Sequence, residues 1–339
     1  MKNISVCELR FKIEQCFLKY GLSDETASQL AKIFVAAEEE GVTTHGLMVL
    51  PSYLKKIKNG HFNLKPVFRL EKQTSAFSVV DADNAIGPIS AKYCMDLAVE
   101  KSAGSGVHFV FCRNANTYGL ASYYTEIAAQ AGMIGITFCN SPAAMTFSNS
   151  NVKLLGTNPF SVCIPAGDEP FIIFDMATSV VAKSKINEAR IQGNPIPEGW
   201  ALDEHGNPTT DPEEAIRGSV LPMAGYKGAG LAFVFDILSG FISGAASMSD
   251  VGKFYSDDGK CMNVGQTFIA IDTVQIYGEN FHKDIGAHIK KIRESSTTDG
   301  NLISLPGDNR HIIRNSVREN GMAISDEIYE LLHCGSDCL

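Results

Sequence analysis

Hydrophobic residues recur at helical spacing through the first sixty positions, where Leu30, Ile33, Phe34 and Ala37 fall on one face, as an amphipathic helix requires. Ser23 precedes that run as an N-cap, and Asp24 and Glu25 follow in its first turn, where carboxylates meet the positive end of the helix dipole. Gly41 ends the helix. Thr43, Thr44, His45 and Gly46 then form a short turn, and Tyr53, Leu54 and Ile57 mark a further helical segment stopped at Gly60. Beyond Pro66 the pattern alternates. Strands are predicted over 77–80, 107–112, 133–138, 159–164, 171–174 and 267–271. Helices are predicted over 89–102, 120–130, 180–191, 228–243, 281–293 and 325–332. Residues 193–225, rich in Pro, Gly, Asp and Asn, read as a long ordered loop, and loops of that length inside a domain are usually functional.

Composition narrows the class. The 339 residues are 45% hydrophobic and 20% charged, as in an ordinary enzyme-sized chain with ample core. A net charge of -9 argues against nucleic acid or an anionic membrane as partner. Residues 1–20 carry no continuous apolar stretch of the secretory type, and residues 231–246 are too short and too polar to span a bilayer. The nine cysteines lie mostly among apolar neighbours, which reads as buried reduced thiols in a cytoplasmic protein. Cys334 and Cys338 alone lack the second ligand pair of a metal site, so no metal is expected.

Standard nucleotide motifs are absent. Gly104-Ser105-Gly106 and Gly228-Ala229-Gly230 each lack the third glycine of a dinucleotide fingerprint. No P-loop, nucleophile elbow or His-Glu-x-x-His is present. Those motifs alone stop at an α/β enzyme-like protein.

Seven segments, in order over nearly the whole chain, carry a resemblance. They are Thr44-His45-Gly46 with Leu50-Pro51 and Tyr53; Arg113 to Gly119, opening a helix with Tyr123-Tyr124; and Gly156-Thr157-Asn158-Pro159. Next come Asp175-Met176-Ala177-Thr178-Ser179 with Lys185, and Ile196 to Ala201 with Asp203, Gly206 and Thr210-Asp211-Pro212. Gly225 to Leu231 and Leu305-Pro306-Gly307 complete the series. Together they resemble the malate/L-lactate/L-sulfolactate dehydrogenase-like family. The resemblance implies an α/β, non-Rossmann NAD(P)-binding fold with a mixed sheet and a helical region made from both chain ends. It implies a homodimer that reduces 2-oxo acids, or cyclic imines bearing a carboxylate, with NADH or NADPH. The expected division is a helical domain of residues 1–60 plus 285–339, a central α/β domain of 61–110 plus 230–284, and a cofactor-binding domain of 111–229.

On the same grounds His45 is the proton carrier, a residue type that titrates near neutral pH. Asp175 would hold its tautomer and stabilise its charged form. Thr44, where the family usually has Ser, would orient the imidazole or cap the next helix. Cofactor contacts are expected from Asn116, Thr117, Tyr118, Gly119, Asn140, Ser141, Gly156, Thr157 and Asn158, and from Asp175, Met176, Ala177, Thr178 and Ser179. Lys185, Lys227 and Gly228 complete that set, with the glycine-rich helix start after Lys227 suited to anions. Val49, Tyr53 and Thr157 are the expected substrate-side residues.

Two positions depart from the family pattern. Val49 stands where an Arg usually lies four residues beyond the histidine, a spacing that on a helix would place it beside His45 to clamp a carboxylate. Thr117 stands where a histidine is common. The expectation is retained hydride chemistry on an altered carbonyl or imine, rather than on malate or lactate. The alternatives are a conventional 2-oxo acid or Δ1-piperideine/pyrroline-2-carboxylate reductase anchored by Arg113 or Arg190, and a non-catalytic nucleotide-binding descendant.

Overall fold

Seven strands make the central sheet, and its pairing already separates it from a Rossmann sheet. The computed structural model describes residues 1–147, 150–255, 260–295, 297 and 303–334. The chain begins with β1 (Lys2–Ile4), α1 (Val6–Lys19) and α2 (Asp24–Glu39). Two 3₁₀ turns (Thr43–His45 and Leu47–Val49) lead into α3 (Leu50–Lys58). There follow β2 (Arg69–Gln73), β3 (Phe77–Asp81), α4 (Gly87–Ser105), β4 (Val107–Ala115), α5 (Ala121–Gln130) and β5 (Met133–Cys139). The middle of the chain holds β6 (Met145–Thr146), β7 (Lys153–Leu155), β8 (Phe160–Ala166), β9 (Glu169–Met176) and α6 (Lys183–Gln192). Short elements come next: β10 (Ala201–Leu202), β11 (Pro208–Thr209), α7 (Pro212–Arg217) and β12 (Ser219–Val220). The last third holds α8 (Tyr226–Asp236), β13 (Val264–Asp272), α9 (Thr273–Ile276), α10 (Phe281–Arg293), α11 (Asp308–Asn320), β14 (Met322–Ile324) and α12 (Asp326–Cys334).

The large sheet has the order β2-β3-β4-β13-β5-β8-β9. Its β3–β4 pair is parallel, while β13 runs antiparallel to both β4 and β5 and the remaining pairs are antiparallel. A Rossmann sheet is a mostly parallel one with a nucleotide at its switch point, so this mixed sheet presents no such crevice. Strand β13 is buried from Val264 through Ala270, as a central strand covered on both faces must be. Helices α4 and α5 cover the sheet, and the main core runs from α1 and α2 through Tyr53, Tyr118 and Tyr124 to Phe268.

Several sequence expectations change at this level. Strand β1 pairs antiparallel with β14, a joining of the chain ends that the pattern did not reveal. The predicted loop over 193–225 is itself structured. Strands β10, β11 and β12 join β6 and β7 in a second sheet of five short strands, with a small core of Val181, Ile186, Ile196, Ala201, Ala215 and Val220. Two-residue strands carry too little alternation to be recognised beforehand. Helix α6 begins three residues later than predicted, and α8 passes into a π-helical turn at Ile237–Phe241. Among the described residues no helix is long and apolar enough to cross a membrane, and no group of three His, Cys, Asp or Glu is placed to hold a metal. Cys7, Cys16, Cys94, Cys112, Cys139, Cys163 and Cys261 are free thiols; Cys338, and with it the Cys334–Cys338 pairing, lies outside the described residues.

Candidate active site

His45 is carried by a turn that α2 builds. Its amide bonds to Val42 O at 2.9 Å, and Gly46 N bonds to Thr43 O at 3.0 Å. Glu38, near the end of α2, accepts the Leu47 amide at 2.6 Å on Oε1, tying the far side of the turn to the helix. Burial pushes the Glu38 carboxyl upward, and the Leu47 N–H acts against that shift. Gly46 lets this approach happen, since a Cβ there would stand 2.2 Å from Glu38 Oε1. Gly46→Ala is therefore expected to break the Glu38–Leu47 bond and cost about 1–3 kcal/mol in denaturant unfolding. An unchanged midpoint would show that the turn does not depend on that bond.

The same turn corrects the helical relation expected between His45 and Val49. The two belong to separate 3₁₀ turns broken at Gly46, whose ψ of -122° is far from helical. Val49 is partly buried against the main core, so the position packs rather than faces the histidine along a helix. Tyr53, also buried, donates its hydroxyl to Thr117 O at 2.9 Å and so braces the 116–119 segment. Among the described residues the Thr44 hydroxyl forms no hydrogen bond.

Asp175 lies near the end of β9, opposite Ser161 of β8. Its Oδ2 accepts the Ser122 amide at 3.2 Å in the first turn of α5. Because the N-cap Leu120 offers no side chain to that turn, Asp175 caps α5 from another element, and the helix dipole favours its anionic form. Burial raises the Asp175 carboxyl; the opposing influences are Arg310, His45 and the Ser122 N–H, while Glu40 adds to the rise. His45 is held below the ordinary imidazole range by loss of surrounding water, which Asp175 opposes and Arg310 reinforces. His45 is nonetheless exposed by its surface area, and it lines neither of the two clefts that adjoin the cofactor segments.

Arg310 on α11 was not anticipated. It contacts Asp175 Oδ2 at 3.2 Å, Glu40 Oε2 at 2.5 Å and Ser122 Oγ at 2.9 Å. Arg314, one turn on, bridges Glu40 Oε1 at 2.6 Å and Glu126 Oε1 at 2.7 Å. Arg113 and Arg190, considered as carboxylate anchors, are committed elsewhere. Arg113 forks onto Glu71 and contacts Asp81 at 3.2 Å, and Arg190 bonds Asn187 and Glu213. The Arg113 fork is therefore occupied by carboxylates, whereas Arg190 is exposed and holds Glu213 only at 3.4 Å.

Most of the expected cofactor residues form one connected scaffold. Thr178 N and Oγ1 both bond Thr157 O, at 2.9 and 2.8 Å, and Thr178 O accepts Met223 N. Gly228 is wedged there, its would-be Cβ 2.5 Å from both Thr178 O and Met223 O. Gly156 is similarly confined by Ser141 and Asn158. The three asparagines spend their amides internally: Asn116 on Asn84 and Ala85 O, Asn140 on Asp236, Ala246 O and Gly265 N, and Asn158 on Ser141 N and Ala232 O. Their side chains brace the segments, leaving backbone atoms and neighbours to face any ligand. Tyr118 is buried in the core, Gly119 (φ +76°) passes the backbone of His45, and Ser179 Oγ bonds Val181 O. Met176 and Ala177 are half-buried on the run that leaves β9.

Two clefts adjoin this scaffold. The larger, about 820 Å³, is lined by Thr146, Phe147, Val180, Leu221, Ala224 and Gly225 among others. Its volume falls within the ~300–1,000 Å³ of small-molecule and cofactor sites. It meets the predicted segments at Val180, beside Ser179, and at Gly225, where α8 opens with no side-chain cap and with Lys227 exposed in its first turn. A partly apolar wall with an uncapped helix start suits a nucleotide with an anionic group. The smaller cleft, about 240 Å³, lies between Lys185 of α6 and Trp200.

Comparison with known proteins places the chain. The profile of the malate/L-lactate dehydrogenase family matches residues 4–333. L-sulfolactate dehydrogenase of Methanocaldococcus jannaschii is 37% identical over 316 residues, spanning 93% of this chain and 90% of that protein. Ureidoglycolate dehydrogenase (NAD(+)) of Escherichia coli K12 is 33% identical over 323 residues, spanning 94% and 92%. The solved sulfolactate dehydrogenase from M. jannaschii matches with a TM-score of 0.90 at 34% identity, over 98% of this chain and 95% of that one. The Δ1-piperideine-2-carboxylate reductase from Pseudomonas syringae gives 0.90 at 25% identity, over 99% and 100%. Fold and relatives together define a nicotinamide-dependent oxidoreductase built without a Rossmann sheet. The chain belongs to the malate/L-lactate dehydrogenase family.

Proposed function

We propose that this chain is a reductase of a small carbonyl or cyclic imine, with His45 delivering the proton to the reacting oxygen or nitrogen. A bound nicotinamide cofactor, NADH or NADPH, would supply the hydride to the adjacent carbon. Asp175 orients the imidazole and stabilises its charged form, and Arg310 keeps Asp175 ionised. The carrying observation is that the 119–122 segment touches both His45 and Asp175, 130 positions apart in sequence: Gly119 passes the His45 backbone, and the Ser122 amide bonds Asp175 Oδ2 at 3.2 Å beside Arg310. Residues 156–158, 176–179 and 227–228 are the proposed cofactor side.

Malate and lactate are not the proposed substrates, because Val49 offers no carboxylate-binding cation and Thr117 offers no imidazole. A conventional 2-oxo acid or cyclic imino acid reductase is the second reading. It is favoured by the relatives named for sulfolactate, ureidoglycolate and piperideine-2-carboxylate. Exposed Leu231, Phe233, Val234, Phe241 and Ile242 around α8 support the proposed homodimer. The proposed setting is the cytoplasm.

Titration with NADH and NADPH, followed by nicotinamide fluorescence, is the first test. Micromolar binding of one is expected, and that coenzyme then serves a screen of carbonyls and cyclic imines with pyruvate, oxaloacetate and Δ1-piperideine-2-carboxylate included. Turnover of any of these three carries the second reading over the first. Binding without turnover of any compound supports a non-catalytic descendant, and binding of neither coenzyme sinks the reductase reading.

A further inference from the structure

We propose that Arg310 is a positioning residue that sets the charge of the His45–Asp175 pair, so that helix α11 completes the proton-transfer site. The proposal rests on the reductase reading above and deepens it. Four elements converge on this point. Glu40 comes from the end of α2, Ser122 and Glu126 from α5, Asp175 from β9, and Arg310 and Arg314 from α11. Three carboxylates against two guanidinium groups leave a formal charge of minus one. An imidazolium at His45 would bring that sum to zero, so the net charge favours a proton on the ring while desolvation opposes it. Without Arg310 the sum falls to minus two.

Geometry assigns the division of labour within Asp175. Its Oδ2 is taken by the Ser122 amide and by Arg310 Nη2, both at 3.2 Å. Among the described residues Oδ1 has no protein partner, and no hydrogen bond or close ion pair joins it to His45. Arg310 thus fixes the carboxylate by one edge and leaves the other free to accept an imidazole N–H brought to it. The remaining groups with electrostatic influence on this carboxylate are Glu40, and Tyr118 and Cys139, whose hydroxyl and thiol Asp175 holds toward their neutral forms. None of them is a cation, and Arg314 and His311 on the same helix act on Glu40 and Glu126 rather than on Asp175, so Arg310 is the arginine that holds this carboxylate.

The test follows the His45 imidazole by NMR in the cofactor-free protein, its resonance assigned by its loss in His45→Gln. Removing a cation raises the proton affinity of a coupled cluster whichever site holds the proton. Arg310→Gln is therefore expected to move the midpoint up by about one unit or more. Arg318→Gln, which loses only the neighbouring pair with Glu39 on the same helix, is expected to stay within about 0.3 unit of the wild type. Arg310→Lys keeps the charge but not the fork; its midpoint should remain near the wild type while kcat falls about tenfold with little change in cofactor Kd. An unmoved midpoint in Arg310→Gln, or an equal shift in Arg318→Gln, would overturn the proposal. Should Arg310→Gln fail to fold, Arg310→Lys decides, and wild-type kcat in that variant overturns it. Should the wild type reduce no substrate, the reductase reading fails while the NMR titration still decides the role of Arg310.

Discussion

Replacing His45 by glutamine is expected to lower kcat for reduction about a thousandfold, the scale of one positioned general acid. Glutamine keeps a polar group of similar reach but cannot deliver a proton. Its neighbours Glu38, Leu47 and Gly46 hold the turn through backbone and carboxylate contacts that do not involve the ring, so folding should be little affected. Cofactor Kd should stay within about threefold, because a loss confined to the transition state leaves ground-state binding alone. The pH dependence gives a second signature. Reduction consumes the imidazolium, so the wild-type rate should fall as pH rises through the His45 midpoint, which desolvation holds below the ordinary imidazole range. The reverse oxidation uses the neutral ring and should lose rate as pH falls through the same midpoint. Both limbs should flatten in His45→Gln. Steady-state kinetics in the two directions decide the matter: a loss under about tenfold with both limbs intact would move the proton to another group.

The legible parts of this protein were those whose signal is local. Ser23 caps α2 as its position suggested, with Thr26 N bonded to its Oγ at 3.3 Å. The paired strands around Gly167–Asp168 appear as β8 and β9, and helix α10 runs from Phe281 to Arg293 as the periodicity implied. The failures share a cause. Strand β13 begins at Val264, three residues before its predicted start, because Gly265 and Gln266 break the apolar run although both are buried. Gln266 is there to bond Asn116 O at 2.7 Å, a contact 150 positions away in sequence that no local pattern carries.

Helix α11 is the most instructive omission. It has no fully buried residue, and its inward apolar positions are only Ile313 and Val317, a stripe too short for helix prediction to rest on. Beside them runs a charged ladder: Arg310, Arg314 and Arg318 recur every four residues and meet Asp175, Glu40, Glu126 and Glu39. The complementary signal, Glu38-Glu39-Glu40 at the end of α2, reads in sequence as a solvated charge run. In the fold these carboxylates are buried and each has a named task. A charge run next to a candidate catalytic turn, with an arginine ladder elsewhere, was the available sign that the two would meet. Only the tertiary structure could say where, since the residues lie about 270 positions apart.

That ladder also carries the largest expected effect on stability. Arg314→Met removes the bridge between Glu40 and Glu126, whose side chains are 1% and 9% exposed. Breaking a buried pair from one side strands charge in a poor solvent for it, at a cost of about 3–5 kcal/mol. Arg310 still reaches Glu40 at Oε2, so Glu126 bears most of the deficit. Burial already raises the Glu126 carboxyl, with Arg314 the principal opposing influence; without that arginine it should rise further. A group whose folded pKa is raised contributes stability below its unfolded pKa and loses it as pH rises. The deficit of Arg314→Met should accordingly be greatest at neutral pH and shrink as the solution is acidified toward the ordinary carboxylate range. Adding Glu126→Gln should recover part of the loss at neutral pH and remove most of its pH dependence, since the stranded charge is then gone. Urea unfolding of the two variants at neutral and mildly acid pH tests the account. A single-variant cost below about 1 kcal/mol would mean that the network is solvated like a surface pair, and that α11 is held on the fold by contacts other than its arginines.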